Sequence, residues 1–478
     1  MAGSVQSTPG FNLQPSAEQV ATSSNYITDF NFLNQYLPDT YEKEFERYGN
    51  RTVASFLRLV GAEMPTNSDL IKWAEQGRLH TKYTNVTTAA TGAQDTATFT
   101  VNDVLSPGSG AIAIRSGQTL MFTNNAGGQN FKAVVTSVDT ANGTFVAAFY
   151  DASVTFAAAT FTCFVYGSEF KKGTLGMEGS LEADDVFFEN KPIILKDKYA
   201  VSGSDMAQIG WVEVTTENGA TGYLWYLKSE HETRLRFDDY LETSMLEAIP
   251  AAVGSGAQAQ LGNTTTTAGA PTGAGSEGVF YAVENRGNVW SGGNPNVLGD
   301  FDAVIQRLDK QGSIEENVIF VDRQFGFDID DMLAAQNSYG AGGTSYGLFD
   351  NDEEMALNLG FTGFRRGYDF YKSDWKYLND PTMRGGLPSG AGSGKINGLL
   401  VPAGSTSVYD QILGKNAKRP FLHVRYRASQ TEDRRYKTWI TGSAGGAATS
   451  SLDAMEVNFL SERAVCTLGA NNFFLFQE

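Results

Sequence analysis

Cysteine and histidine are scarce in this chain, whose 478 residues contain two cysteines and three histidines. Cys163 and Cys466 lie in apolar runs typical of strands, which predicts two buried free thiols and excludes a disulfide framework. The histidines, His80, His231 and His423, are far apart in sequence, and none has a partner at metal-ligand spacing. We therefore expect no metal, no cofactor and no histidine-based catalytic site.

Basic residues are also few, with 36 lysines and arginines against 54 aspartates and glutamates and a formal net charge of −18. A protein that grips phosphates normally has a basic surplus or a basic face. The densest basic stretch, from Arg425 to Lys437, is short. Direct nucleic-acid binding is therefore disfavoured, whereas a protein that only encloses DNA is compatible with an acidic wall.

Long apolar runs are absent, so no segment is predicted to cross a membrane. The first residues, MAGSVQSTPGFNLQPSAEQ, have neither the basic nor the apolar region of a secretory signal. Residues 1–35 are polar and without sustained periodicity, which predicts an extended arm. Amphipathic patterns then predict helices at 41–48, 52–59 and 69–76, the last capped by Asn67 or Ser68.

Residues 85–167 differ abruptly in composition from their surroundings. Charged residues nearly vanish, and short runs rich in Thr, Ala, Val and Phe alternate with turn residues. The runs are TATFTV, AIAI, TLMFT, FKAVVTSVD, TFVAAFY and TFTCFVYG. They predict a small all-β module of about six strands, carried by flanking strands at 80–83 and 168–172.

Residues 217–251 have apolar residues at spacings of three and four, separated by charges, and Pro250 stops the pattern. They predict a helix on the order of 45 Å long that runs the length of a domain. The Gly/Ala/Thr-rich segment 253–278 is typical of a flexible loop. The region beyond it is predicted to contain helices at 296–308 and 328–335 and strands at 318–321, 395–402, 421–426, 438–441 and 463–468. The fold class is therefore α+β with a β insertion.

The glycine-rich run Gly390–Lys395 fails as a phosphate-binding loop. Ser389 stands where the first glycine is needed, Ile396 follows the lysine in place of a hydroxyl residue, and a strand follows where a helix is needed. We interpret the run as a mobile loop tip.

The acidic and aromatic clusters also have structural interpretations that require no functional site. The clusters at 184–185, 328–331 and 350–354 lack the pattern of a calcium loop, and we expect 328–331 to begin a helix. No carboxylate pair is singled out for glycoside hydrolysis, which the sequence alone leaves open. The interleaved aromatic and basic residues at 361–377 could stack on bases or form a half-buried strand pair or a subunit contact; we favour the contact.

Several segments resemble the major capsid proteins of tailed bacteriophages, which share the Hong Kong 97 fold, and are most similar to those of crAss-like podoviruses. They are NKPIILKDKY at 190–199, QIGWVEV at 208–214, GYLWYLK at 222–228, GYDFYK at 367–372 and WKYLNDP at 375–381. The order of arm, helix, β excursion, long helix and mixed lobe also resembles that family. The resemblance covers residues 36–84 and 168–478, with 85–167 as an insertion in the extended-loop region.

The resemblance implies a domain organisation for the whole chain. Its parts are an N-terminal arm at 1–35, N-terminal helices and the start of the extended loop at 36–84, the inserted all-β domain at 85–167, the return of the extended loop with peripheral-domain strands at 168–216, the spine helix at 217–251, a flexible loop and peripheral-domain strand at 252–295, the axial domain at 296–450, and C-terminal peripheral-domain strands at 451–478.

The resemblance also implies a non-enzymatic function. We expect a major capsid protein that self-assembles into hexamers and pentamers of an icosahedral virion head, enclosing dsDNA without sequence-specific binding. It would assemble in the bacterial host cytoplasm with portal and scaffold or auxiliary head proteins, and without a membrane. Candidate inter-subunit contacts are Lys171, Lys172, Arg365, Arg366, Trp375 and Lys395. No motif identifies the family's lysine–asparagine crosslink here. The alternatives are a tail or fibre component that binds through the β module, and an enzyme such as a glycosidase.

Overall fold

The computed structural model describes most of the chain after residue 62. The described residues are 63–77, 80–103, 112–156, 160–181, 185–207, 214–215, 221–222, 225–261, 274–337, 362–390, 392–410, 415–444 and 448–478. The predicted arm, the predicted helices at 41–48 and 52–59, and the acidic cluster at 350–354 lie outside them.

Strands dominate the described residues. They are β1 Glu63–Thr66, β2 Ile71–Gln76, β3 Lys82–Thr88, β4 Gly92–Gln94, β5 Thr96–Val101, β6 Gln118–Asn124, β7 Asn130–Asp139, β8 Thr144–Phe149, β9 Val154–Phe156, β10 Thr160–Ser168, β11 Asp185–Asn190, β12 Ile193–Ser202, β13 Val214–Thr215, β14 Thr221–Gly222, β15 Asn288–Trp290, β16 Glu316–Val321, β17 Gly363–Arg366, β18 Tyr368–Asp374, β19 Ile396–Pro402, β20 Ser405–Asp410, β21 Lys415–Pro420, β22 Leu422–Arg427, β23 Lys437–Gly442, β24 Ala454–Thr467 and β25 Phe474–Gln477.

The helices are α1 Gly203–Met206, α2 Trp225–Glu247, α3 Gly256–Leu261, α4 Val279–Arg286, α5 Leu298–Gln311, α6 Arg323–Asn337 and α7 Lys376–Asn379, with 3-10 turns at Arg384–Gly386 and Ala470–Asn472. The chain divides into two compact units. One contains the described residues up to Trp73 and from Glu189 onward, and the other is Ala74–Phe188.

The unit Ala74–Phe188 contains a closed barrel with the strand order β10-β3-β5-β8-β7-β6. Phenylalanines fill its interior, among them Phe99, Phe122 and Phe145, whose ring centroids lie 4.6–6.2 Å apart. Side chains alternate between the two faces of a strand, and this is why the Phe and Val positions of the predicted runs point inward together.

Five of the six predicted runs form barrel strands, but AIAI does not. Ile112 and Ile114 are buried in the barrel core without joining a strand. The sixth strand is β3, which includes Lys82 and Tyr83 of the flanking strand predicted at 80–83, and β10 ends at Ser168, where the other flanking strand was expected to start. The compact unit that contains the barrel spans Ala74–Phe188.

The larger unit contains a sheet organised around β24. β12 pairs with residues 454–463 of this strand along one edge, while β23 and β22 share the other edge, and β1 pairs in parallel with β22. With 14 residues, β24 is about 46 Å long at 3.3 Å per residue. It collects strands from three distant parts of the chain into one sheet.

A second sheet of this unit has the order β15-β25-β19-β16-β18-β17. Every residue of β19 is buried, so its sequence shows no alternation of apolar and polar residues along the strand. The predicted strands at 318–321 and 395–402 correspond to β16 and β19, and the predicted helix at 296–308 corresponds to α5. Residues 451–478 contribute to both sheets, because β24 lies in the first and β25 in the second.

The prediction of a helix at 69–76 is wrong, because this segment is β2. The Ser68 hydroxyl accepts from the Leu70 amide and donates to the Leu70 carbonyl, so it closes a local turn and caps no helix. Ile71 is buried against Ala464 and Cys466, while Lys72 is exposed. The apolar pattern of eight residues fits both periods, and tertiary burial selects the strand.

Two other predicted helices have different limits. The helix predicted at 217–251 is α2, which has 23 residues, about 35 Å, because Thr221–Gly222 pairs with Val214–Thr215 as a short hairpin. The helix predicted at 328–335 begins at Arg323, where the Asp322 carboxylate accepts from the Phe325 amide at 2.6 Å. The acids at 328–331 therefore lie within α6. Part of the predicted loop at 253–278 is helical, as α3.

Candidate assembly surface

Large apolar side chains are exposed along the segment between β10 and β12. We call residues 170–187 the apolar segment. Its exposed apolar residues are Phe170, Leu175, Leu181, Val186 and Phe187, with Leu175 84% and Phe187 69% exposed. Single exposed apolar residues are ordinary, but five within 18 residues of one unit indicate a candidate interaction surface.

In the larger unit, β12 shows why a strand can leave an apolar side chain uncovered. In β12, burial alternates from residue to residue. Leu195 and Val201 pack on the cluster that contains Phe237 of α2 and Phe459 of β24, and the opposite face carries Ile194. The helix covers one face of the strand, so the outward side chains have no cover from the described part of their own unit.

The basic stretch 425–437 is matched by carboxylates. Arg434 lies 2.8 Å from Glu462, and Lys437 lies 2.8 Å from Glu432. Arg427 pairs with Asp69, and Arg435 pairs with Glu63. Four basic side chains of this stretch therefore form ion pairs with carboxylates on or near β1, β22 and β24, and Arg425 donates to the Pro65 carbonyl.

Four of the six predicted contact residues lie on the surface. Lys171 and Lys172 are exposed within the apolar segment. On β17, Arg365 lies 3.1 Å from Asp369, and Arg366 donates to Asp302 at 2.8 Å, which holds the pKa of the Asp302 carboxyl below its usual range. All four cations are placed where a neighbouring chain could reach them.

The other two predicted contact residues are covered by their own chain. Trp375 is 1% exposed, with its ring 5.9 Å from Phe280 and 5.7 Å from Phe320. The Lys395 side chain is 17% exposed, and its Nζ lies 4.0 Å from Asp322 Oδ2. Neither side chain offers a neighbour a surface in this conformation. The aromatic pattern at 361–377 reflects β17 and β18, where Phe370 is buried and Tyr371 is exposed.

The glycine-rich run at 390–395 leads into β19, as the sequence predicts, and it is hydrogen-bonded to Glu478. Gly390 has φ 143°, which favours glycine, and its amide donates to Glu478 Oε2 at 2.6 Å. The Glu478 amide donates to the Lys395 carbonyl at 2.9 Å, and Asn397 donates to the Glu478 side chain at 3.3 Å. The Gly390 hydrogen bond lowers the pKa of the Glu478 carboxyl.

The cysteines are both free and buried, which confirms that prediction, and burial raises the pKa of each thiol to about 12. His423 is buried with a lowered pKa, whereas His80 is exposed. Within the described ranges, no group of three or more His, Cys, Asp or Glu residues could hold a metal ion. No helix of the described part of the chain is long and apolar enough to span a membrane.

A polar cluster at the end of α2 was not foreseen from sequence. The Tyr377 hydroxyl donates to Glu247 at 2.6 Å, and Arg384 donates to the same carboxylate at 2.8 Å while its guanidinium lies 5.1 Å from the Phe280 ring centroid. Glu247 is separated by 130 residues from Tyr377. No local pattern joins such distant residues. The exposure of Phe187 and Ile194 was also not predicted, because the runs VFF at 186–188 and PII at 192–194 fit buried strands equally well.

No family model matches the chain, and no curated protein matches it. Among solved structures, the chain is similar to one from Mycobacterium phage Ogopogo, with 9% identity and a TM-score of 0.39 over 95% of this chain and 99% of that one. It is also similar to the capsid of a native GTA particle, with 8% identity and a TM-score of 0.37 over 93% and 95% of the two chains. The capsid structure of cyanophage P-SCSP1u is similar at 8% identity and a TM-score of 0.33, over 81% of this chain and 89% of that one.

Proposed function

We propose that this chain is a capsid protein that assembles with copies of itself into the shell of a virion. The observation that carries the proposal is the apolar segment 170–187, whose large side chains are exposed among the described residues. Burial of apolar surface is worth about 25 cal/mol per Å², so a partner that covers several such side chains gains several kcal/mol. A shell protein meets such a partner in every neighbouring copy.

The charges around the segment suit a contact between identical chains. Lys171 and Lys172 stand within it, and a chain with net charge −18 presents carboxylates to a neighbour's lysines. Arg365 and Arg366 are further candidates for the polar rim of a contact, where arginine is common. Cationic groups at a rim mainly set register and association rate.

The finer form of the proposal follows the sequence resemblance. We infer a major capsid protein with the Hong Kong 97 fold, most similar to those of crAss-like phages, in hexamers and pentamers of an icosahedral head of a tailed phage. In that arrangement α2 is the spine helix, the barrel is an insertion in the extended loop, and portal and scaffold proteins assist assembly in the host cytoplasm. The shell would enclose dsDNA without sequence-specific binding, because an acidic protein attracts the DNA phosphates only weakly.

Assembly can be measured on the purified chain, alone or with a scaffold partner, by sedimentation and negative-stain microscopy. We expect closed shells or tubes built on a hexameric lattice. The double variant Leu175→Asp with Phe187→Asp should remain folded by circular dichroism but sediment as small species, because it places charge on the proposed contact.

Val253→Asp is the matched control, since Val253 is 94% exposed outside the apolar segment, and it should still assemble. Trimers or single rings in place of a lattice would favour a tail or fibre component. A chain that stays monomeric under every condition, or a double variant that assembles like the unchanged protein, would refute the proposal.

A further inference from the structure

A cleft of about 560 Å³ opens on the outer surface of the barrel unit. It lies across β6, β7 and β10, and Tyr150 and Tyr166 stand at it with half of each side chain exposed. The cleft is shallow and open to solvent, so a ligand would lie along it with one face exposed. Among the described residues, phenylalanines fill much of the barrel interior.

A β-bulge presents Tyr166 to the cleft. The register of β10 on β6 shifts between Val165, paired with Leu120, and Gly167, paired with Thr119, which leaves Tyr166 as the extra residue. A bulge of this kind bends a strand and re-aims one side chain, and bulges are common beside functional sites. Tyr166 is consequently held out from the barrel at 48% exposure, while Cys163 on the same strand is buried.

Thr119 belongs to the wall of the cleft, and its hydroxyl is covered by that wall. The residue is 3% exposed, and its Oγ1 has no hydrogen-bond partner among the described residues. A buried hydroxyl without a partner costs roughly 1–3 kcal/mol, so a ligand group that reaches it through the wall would recover that cost. Gly167 keeps this wall open, because a Cβ there would lie 3.2 Å from the Thr119 hydroxyl.

The remaining groups at the cleft carry charge of both signs. The Tyr150 hydroxyl donates to Glu169, and this bond is the main cause that raises the Tyr150 pKa to about 12. The Lys132 ammonium lies 5.5 Å from the centroid of the Tyr166 ring. The cleft thus combines two partly exposed aromatic rings with a carboxylate, an ammonium group and hydroxyls.

We propose that this cleft binds an oligosaccharide. Sugar rings have apolar C–H faces that lie on aromatic rings, and equatorial hydroxyls that pair with carboxylates and hydroxyls at the rim, so both kinds of group here have a use. Small β-barrels bind oligosaccharides on an outer strand face of this kind. Single-stranded nucleic acid would also stack on tyrosines, but it needs a basic groove, and here Lys132 shares the cleft with Glu169 in a chain of net charge −18.

The test uses the full-length chain and fluorescently labelled hexasaccharides of glucose, mannose and N-acetylglucosamine, read by fluorescence polarisation. At least one should bind, and Tyr166→Ala should weaken that binding 10-fold or more. Tyr371→Ala is the matched control, because Tyr371 is 55% exposed on β18 of the other unit, and it should bind as the unchanged chain does.

Thr119→Val separates a ligand role from a structural one. The variant keeps the shape and removes the unpaired hydroxyl, so its thermal stability should stay equal or rise while its affinity falls about 10-fold. Binding of none of the sugars, equal binding by a folded Tyr166→Ala chain, or displacement of the sugar by oligo(dT) would each overturn the proposal. None of these outcomes depends on shell assembly, so the two proposals succeed or fail separately.

Discussion

His423, on β22, shows how burial changes the chemistry of a single residue. It is 3% exposed, its Nδ1 lies 3.2 Å from the Pro420 carbonyl oxygen, and burial, with the nearby Arg425 charge, lowers its pKa to about 4. In the sequence it has no partner at metal-ligand spacing, and residue type alone could not distinguish it from the exposed His80. Trp375 and Lys395 illustrate the same limit, since residue type alone does not reveal which side chains the rest of the chain covers.

The lowered pKa of His423 predicts a loss of stability in mild acid. The unfolded chain binds a proton on this ring below about pH 6.5, while the native state does so only near pH 4, so the unfolded state binds more protons in between. Stability should fall as the pH drops from about 6.5 to 4, by roughly 3 kcal/mol from this residue. Urea unfolding across this range measures it.

His423→Leu should remove that part of the pH dependence, and His80→Gln, at an exposed site, should leave it unchanged. An identical pH dependence in the His423→Leu chain would mean that folding does not lower the pKa of this ring.

At the scale of elements, short patterns were less reliable than long ones. The eight residues at 69–76 satisfied a helical pattern and a strand pattern, and contact with β24 selected the strand. The long pattern of α2 was identified correctly as a helix, although its start was placed too early. The predicted helix starts were wrong where another local structure precedes or caps the helix. The β13–β14 hairpin precedes α2, and Asp322 caps α6.

The docking of α2 on its sheet can be tested at Phe237. This side chain is fully buried, with its ring 5.4 Å from Tyr436 and 5.7 Å from Phe459. Phe237→Ala should lower the free energy of unfolding by about 3–5 kcal/mol, because it leaves a cavity between helix and sheet. Tyr240→Ala, on the 44% exposed face of the same helix, should change it by about 0.5 kcal/mol or less. Equal losses in the two variants in denaturant unfolding would show that α2 does not dock on this face.

At the scale of the whole molecule, two units with separate cores predict two unfolding transitions. The barrel core of Phe99, Phe122 and Phe145 shares no residue with the clusters of the larger unit. In calorimetry, Phe122→Ala should lower only one transition temperature and Phe237→Ala only the other. A single transition that both variants shift would show that the units unfold together.

The two units also define where the barrel could be deleted. A cut limited to residues 86–166 would remove parts of β3 and β10 and leave their ends unpaired. Replacement of residues 77–181 by a short Gly/Ser linker would remove the barrel strands together.

The amino-acid sequence by itself determined the chemical character of this protein. This character consists of scarce cysteine and histidine, an acid surplus, a nearly uncharged β-rich stretch and one long helical pattern. These are properties of composition and local periodicity, so they do not depend on how the chain folds. The α+β class and five of the six barrel strands followed from them.

Only the tertiary structure decided which surfaces remain exposed. Glu63 and Arg463 lie 400 residues apart and pair at 3.4 Å, and β24 unites β12, β22 and β23 in registers that no local pattern specifies. A shift of one residue exchanges the two faces of a strand. The exposure of Ile194 on β12, the burial of Trp375 and the outward turn of Tyr166 at its bulge therefore depend on pairings between distant segments.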